Sequence, residues 1–320
     1  MPSVTPRGRA SVSPGNPVIV IYHDVTDTPD PLTAQLGMTT RPDVFRRHIA
    51  YFARNFDLIA AADLLDGRLP RRPLLITFDD AYRSVLDIAG PLLREAAAPS
   101  LFFLIAAAVR GDTVPVDNAL SLAAETLGLP RVRTLAGLDD TSAAAVGDIV
   151  SGPVAALSRA EIATLKQRIF DALGTTEVKV RRQSTIFLDP ADLARFADCR
   201  IAVGNHSMTH SHFRSLSPPE LEVEIGQSRA ELQRWSGQPV DCLSIPFGDR
   251  RDATVSALGA ARASGHRAVF LVGARSNRSR RGDAPYYRVS LRNEPSARLP
   301  VTLRVLPVLR SLRDAVAGRA

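Results

Sequence analysis

Apolar residues come along this chain in short unbroken runs, set between stretches of helical periodicity. The first run, Pro17-Val-Ile-Val-Ile-Tyr22, carries no alternating polar residue and ends at His23-Asp24. Such a run predicts a strand covered on both faces, as in a parallel sheet layered with helices. Further strands are predicted at Leu74 to Phe78, Ser100 to Ala106, Ile201 to Val203, Asp241 to Ile245, Arg267 to Val272 and Tyr287 to Leu291. Between them, Thr40 to Asn55 reads as a helix: Thr40 can cap it, Pro42 suits its first turn, and Phe45, Ile49 and Phe52 share one face. Tyr82 to Ala97 predicts a helix disturbed at Pro91. Ser217-Pro-Pro-Glu220 opens another that runs to about Trp235, with Gly237 placed to stop it, and Asp252 to Ser264 forms one that ends at Gly265. Strands alternating with helices predict an α/β fold with a parallel sheet.

The alternation breaks between about Val109 and Gln183. This stretch is rich in Ala and Leu with helical spacing, as in Asn118 to Leu127, and Ser158-Arg-Ala-Glu161 is a capping-box signature. It reads as a helical insertion that packs on the body of the protein or walls the site. Residues 1–16, rich in Pro, Ser, Gly and Arg, read as a flexible leader without the continuous apolar core of a signal peptide. Residues 296–320 mix Leu, Val and Arg and predict a basic amphipathic tail, lying either on the protein or on a membrane surface.

The net charge is +7, and nearly all of the positive side is arginine, with lysine only at Lys166 and Lys179. That excess fits a solvated surface, or attraction to phosphate-bearing substrates or an anionic membrane face. No interleaving of basic and aromatic residues points to nucleic acid, so a nucleic-acid partner is not expected. Cys199 and Cys242 cannot form a disulfide framework and read as small buried residues. No stretch approaches the length of a membrane-spanning helix. The expected compartment is the cytoplasm, with peripheral contact at the inner membrane face through the tail as an extension of that reading.

The chemistry gathers where predicted strands end. Thr77-Phe78-Asp79-Asp80 closes one strand, and His206-Ser-Met-Thr-His210 follows another. Carboxylate oxygen and neutral imidazole at close range suit a divalent metal, and a hydrolase needs one more carboxylate that is not a ligand. Taken singly, an Asp-Asp pair can mark a turn, and a His-x-x-x-His pair can be two surface residues on a helix. Joined to Tyr22-His23 and to Pro246-Phe247-Gly248, they form a specific set.

That set resembles the polysaccharide deacetylase family, also called NodB-homology or carbohydrate esterase 4. The resemblance covers roughly Val18 to Arg110 and Phe187 to Arg292. It implies a distorted (β/α) barrel with fewer than eight strands, here spanning 17–295 around an insertion at about 109–183. It implies a divalent metal, Zn²⁺ first with Co²⁺ or Ni²⁺ as alternatives, held by Asp80, His206 and His210. Asp79 then takes the place of the catalytic base, the Phe247 N–H that of the oxyanion donor, and Pro246, Phe247 and Tyr82 those of substrate contacts. The implied activity is removal of an acetyl or similar acyl group from an N-acylated amino sugar in a glycan, glycolipid or sugar nucleotide; the partner is a carbohydrate carrying an acetamido group. An excess of arginine favours a substrate with a diphosphate handle.

Two departures stand out. Many family members place an arginine two residues before the motif proline, where this chain has Ser244; Arg288 is the candidate to supply that cation. The family's late Leu-x-His, whose histidine protonates the leaving amine, has no counterpart here. His23 is the best remaining candidate for acid or substrate contact, ahead of His212 and His266, while His48 reads as a helix-surface residue. These gaps keep open a second reading, a catalytically weak carbohydrate-binding descendant of the same fold. A non-haem iron oxygenase, which also uses two histidines and a carboxylate, fits poorly with adjacent aspartates in a helix-rich alternation.

Overall fold

A computed structural model describes residues 15–139, 143–278 and 282–316. Seven parallel strands close into a barrel: β1 (Val18–Tyr22), β2 (Pro73–Phe78), β3 (Ser100–Leu104), β4 (Ile201–Asn205), β5 (Cys242–Ser244), β6 (Ala268–Val272) and β7 (Tyr286–Ser290). Each pairs with the next in chain order. The ring closes where β7 meets β1, with Val20 opposite Val289, while β1 pairs along its whole length with β2. A short strand, Asp57–Leu58, adds on beside the start of β2. The count is one fewer than in the eight-stranded (β/α) barrel.

The unalternating runs are explained by burial on both sides. One parity of each strand points into the barrel, where Ile19, Leu75, Leu101, Phe103, Cys242, Ala268, Phe270 and Tyr286 form the interior cluster. The other parity, including Val20, Tyr22, Leu74, Ile76, Phe78 and Phe102, packs under the surrounding helices. Gly204 is needed for the first of these layers, because a Cβ there would sit 2.5 Å from the Phe103 ring. Above the apolar interior the inward parity turns polar, with Thr77, Ser244 and Arg288, all buried. That change of character at the carboxyl ends of the strands positions the site.

Helix Pro42–Asn55 forms as the pattern predicts, but Arg41 is its N-cap and Thr40 lies in a two-residue strand paired with Asp24–Val25. His48 departs from the sequence reading. It faces the core, fully buried, between the Tyr22 hydroxyl at 2.8 Å and the Glu294 carbonyl at 2.7 Å. Pro91 sits in the first turn of Gly90–Glu95, directly after a wider π-helical turn at Val85–Ala89. A second π-helical turn, Glu222–Gln227, falls in the middle of the helical stretch from Pro218 to Ser236, which ends on the left-handed Gly237.

The insertion folds as helices Val116–Leu127, Leu129–Leu135, Val146–Ser151, Arg159–Ala172 and Glu177–Gln183. Ser158 and Glu161 make the reciprocal cap that their spacing predicts. Its apolar faces share one cluster with Leu32, Tyr82, Ile105 and Phe187 of the barrel body, so the insertion is welded to the barrel rather than hung from it. The tail forms a helix, Leu306–Val316, after a π-helical turn at Val301–Val305, with Leu299 and Leu303 buried against the barrel. The predicted leader lies outside the described residues but for 15 and 16, as do residues 317–320 of the tail. Both cysteines are free and buried. Among the described residues, no helix is long and apolar enough to cross a membrane.

Candidate active site

Asp79 follows β2 on the inward parity and meets Arg288, which projects from β7 into the same polar layer. Two parallel bonds join them, Nη1 to Oδ1 at 2.6 Å and Nη2 to Oδ2 at 2.7 Å. The Ser244 hydroxyl donates to Asp79 Oδ2 at 3.0 Å and receives a bond from Arg288 Nη2 at 2.6 Å. Arg288 is completely buried, over the Phe103 ring, and also reaches the Thr77 hydroxyl at 3.3 Å. Burial by itself would raise the Asp79 pKa. The Arg288 charge, helped by His206, outweighs it and holds the carboxyl below its ordinary value, so Asp79 is ionised at neutral pH. The cation missing from the motif on β5 thus arrives from β7, and the serine in its place bridges the new pair.

Beside this pair Asp80, His206 and His210 converge, all buried, with one donor atom from each lying within 4.8 Å of the others. Asp80 Oδ1 is 3.4 Å from His206 Nε2 and 3.5 Å from His210 Nε2. Tetrahedral ligands about 2.0–2.1 Å from a zinc ion are separated by about 3.3 Å, so these spacings suit such an ion. Asp80 Oδ2 is buried without a hydrogen-bond partner, which leaves carboxylate capacity for a cation. The imidazoles are oriented for ligation through Nε2. His206 Nδ1 lies 2.9 Å from the Ser244 carbonyl and His210 Nδ1 lies 3.3 Å from Asp117 Oδ1, which leaves each Nε2 turned to Asp80. Burial would lower the His210 pKa, but Asp117 and then Asp80 and Asp79 raise it to about 9. Asp80 is held low against its own burial by His206, His210 and His23. The cluster as it stands attracts a positive charge, which a proton or a metal can supply.

The backbone is bent to make this arrangement. Among the described residues, Asp80, Ala81, Ser207, His210 and Phe247 all take positive φ despite carrying side chains. Such conformations cost roughly 1–3 kcal/mol each and persist only where surrounding contacts hold them. The contacts are present around His206–His210. Glu224, fully buried in the π-helical turn, accepts from the N–H groups of Met208 and Thr209 at 3.0 and 2.8 Å and from the Thr209 hydroxyl at 2.6 Å. The Asn205 side-chain Oδ1 accepts from Ser207 N–H at 3.0 Å, and its Nδ2 donates to Ile225 O and to His266 Nε2.

The other candidates separate by position. His23 lines a cavity of about 290 Å³ together with Asp79, Asp80, His206, His210, Phe247 and the exposed Arg292. Burial lowers the His23 pKa, against a smaller upward pull from Asp80 and Asp79. Phe247 packs its ring between His210 and His212, with centroids 4.3 and 4.0 Å away, while Pro246 is buried in the turn that sets it. Tyr82 is not in the cavity wall. It is buried, stacked on Phe187, with its hydroxyl accepting from Asn118 at 2.9 Å. It sits at the joint between barrel and insertion, away from that cavity. His212 is bound to Asp252 at 2.8 Å and His266 is held behind the histidine loop, both outside the cavity. Asp117 and Glu224 escaped the sequence reading. Asp117 looks there like an ordinary acid in a helix's first turn, and Glu224 like one of several acids on a polar helix face.

A family profile described as polysaccharide deacetylase matches residues 66–269. Among curated proteins, none matches the chain. Similar solved structures include a Streptococcus pyogenes deacetylase, PplD, in complex with acetate, at 13% identity and TM-score 0.62 over 91% of this chain and 100% of that one. They include a putative polysaccharide deacetylase, BA0330, from Bacillus anthracis, at 12% identity and TM-score 0.60 over 91% of this chain and 70% of that one. IcaB from Ammonifex degensii is similar at 18% identity and TM-score 0.54, over 90% of this chain and 96% of that one. At these identities the structures speak to the shared fold.

Proposed function

The chain belongs to the polysaccharide deacetylase family, and from that premise we propose that it is a metal-dependent hydrolase releasing acetate from an N-acetylated amino sugar. Membership supports hydrolysis of an acetylated carbohydrate. The observation that carries the finer reading is the division of labour between two adjacent carboxylates. Asp80 completes a three-ligand set with His206 and His210, while Asp79 stands beside it, ionised and held by Arg288.

Asp80, His206 and His210 are the residues that would hold the metal. When bound, a divalent ion supplies an acidified water and polarises the acyl oxygen. Asp79 accepts the water's proton, and the Arg288 fork with the Ser244 hydroxyl fixes the orientation of its carboxylate throughout. Negative charge then develops on the acyl oxygen, where the Phe247 N–H, set by that residue's unusual φ, is the donor assigned to meet it. His23 lines the same cavity and is the group assigned to relay to the departing nitrogen the proton that Asp79 has taken from the water. Arg292 at the same cavity gives a cation for a phosphate carried by the substrate, and among the described residues its guanidinium has no carboxylate partner.

Acetate release measured over free, nucleotide-linked, lipid-linked and polymeric acetamido sugars, with and without chelator, tests this reading. The reading requires release from at least one class, abolished by the chelator and restored by Zn²⁺. Binding of sugar without any acetate release would mark a binding protein instead, and release indifferent to chelation would remove the metal from the account.

A further inference from the structure

The C-terminal segment buries one face and leaves the opposite one apolar and bare. Leu299, Leu303 and Pro307 face inward, and Leu303 and Pro307 border a crevice with Val18 and Ile19 at the start of β1. Outward stand Val301, Val305, Val308, Leu309 and Leu312, between 46% and 60% exposed. Their spacing of three or four residues places them in one stripe along the helix. Among the described residues, the only other large hydrophobic side chains exposed in this way are Val178 and Val255, each isolated.

The charges around the stripe say what it suits. Arg298, Arg304, Arg310 and Arg313 are exposed on the same segment, and helical spacing sets Arg304 and Arg313 on its two flanks. The only acid between residues 296 and 316 is Asp314, which is buried and paired with Arg275 and, at 3.3 Å, with Arg313, whose side chain stays largely exposed. A protein partner with an ordinary mixed-charge surface would not call for a rim of one sign. An anionic lipid surface calls for both features together: apolar side chains below the headgroups and arginines at their level.

We propose that this helix docks the protein on an anionic lipid bilayer, lying in the interface with the Val301–Leu312 stripe inserted. The catalytic cavity opens at the carboxyl ends of the strands, whereas the helix packs at the start of β1, so docking leaves the cavity uncovered. The proposal is independent of the deacetylase reading.

Co-sedimentation of the full chain with vesicles of phosphatidylcholine alone, or mixed with phosphatidylglycerol, tests it. The wild type is expected to partition onto the anionic vesicles and weakly onto the neutral ones, with binding reduced by added salt. Val308→Glu/Leu309→Glu/Leu312→Glu should weaken the anionic binding by about tenfold or more. Arg310→Gln/Arg313→Gln, which leaves the stripe intact, should weaken it several-fold and lessen its salt dependence. All of these positions are exposed, and unchanged thermal unfolding checks that each variant folds. Absence of binding to anionic vesicles, equal binding to both kinds, or a stripe variant that binds like the wild type would each overturn the proposal. So would a dimer in solution that the stripe variant dissolves while no vesicle is bound.

Discussion

Two neighbouring aspartates, one bond apart along the chain, meet opposite environments. Asp79 is satisfied by a guanidinium fork and a hydroxyl, while Asp80 keeps an oxygen without any partner. That asymmetry supports the proposed roles of base for Asp79 and ligand for Asp80. Asp79→Asn keeps the shape and the neighbouring ligands, so bound metal should stay near one equivalent while turnover falls by about 10²–10⁴. Metal analysis and acetate release on the same preparation separate the two effects. Arg288 has a different signature. It holds the Asp79 pKa down, so in Arg288→Met that pKa rises and more of the carboxyl is protonated at a given acid pH. The acidic limb of the pH–rate profile should therefore move to higher pH. Lysine at this position should restore little, because a single ammonium cannot reproduce two parallel bonds. A limb unchanged in Arg288→Met would show that Arg288 does not act through Asp79.

At the scale of elements, the site depends on supports from parts of the chain that look unrelated to it. Helix Val116–Leu127 of the insertion sends Asp117 to His210. Such partners of ligating histidines typically contribute 10–100-fold to metal affinity. Asp117→Asn should weaken zinc binding by about that factor at alkaline pH, as read by a competing chromophoric chelator. The acid dependence carries a further sign. His210, raised to about 9, must lose its proton to ligate, so affinity in the wild type should rise with pH up to that region. Without the Asp117 charge the histidine gives up its proton more readily, and the rise should complete at lower pH. Behind the histidine loop, His266 is bonded in its neutral form, with Nδ1 toward Ala261 O and Nε2 toward the Asn205 amide. Burial and then the Arg229 charge lower its pKa to about 4. The unfolded chain takes up this proton near pH 6.5, so the stabilisation is complete above that and is lost as pH falls toward 4, by about 3 kcal/mol in total. In His266→Gln, whose amide can make the same two bonds, denaturant midpoints near neutrality and near pH 4.5 should differ by less than in the wild type.

On the scale of the whole molecule, what the sequence could and could not show follows from how far each signal reaches. The strands were legible because burial on both faces leaves continuous apolar runs, and the motifs that converge in the candidate site were legible because each lies within a few residues at a strand end. Arg288 could be singled out because Ser244 stands where the motif lacks its cation and Arg288 lies in the last predicted strand. His48 was misread although it lies three residues after Phe45 and four before Phe52, on the apolar face, because the polarity of histidine was weighed above its spacing; its partner, Glu294, is 246 residues away. Asp117 is 93 residues from His210, and only closure of the insertion onto the barrel brings them together. The insertion therefore supplies a partner of His210 as well as part of the cavity wall.

The central claim is that one cation is gripped by Asp80, His206 and His210. Anomalous diffraction at the zinc edge, from crystals of the full chain equilibrated with Zn²⁺, tests it most directly. The account predicts a single strong peak about 2.0–2.2 Å from an oxygen of Asp80 and from both Nε2 atoms, with Asp79 still paired to Arg288 and outside that sphere. A peak elsewhere, no peak, or Asp79 ligating in place of Asp80 would contradict it.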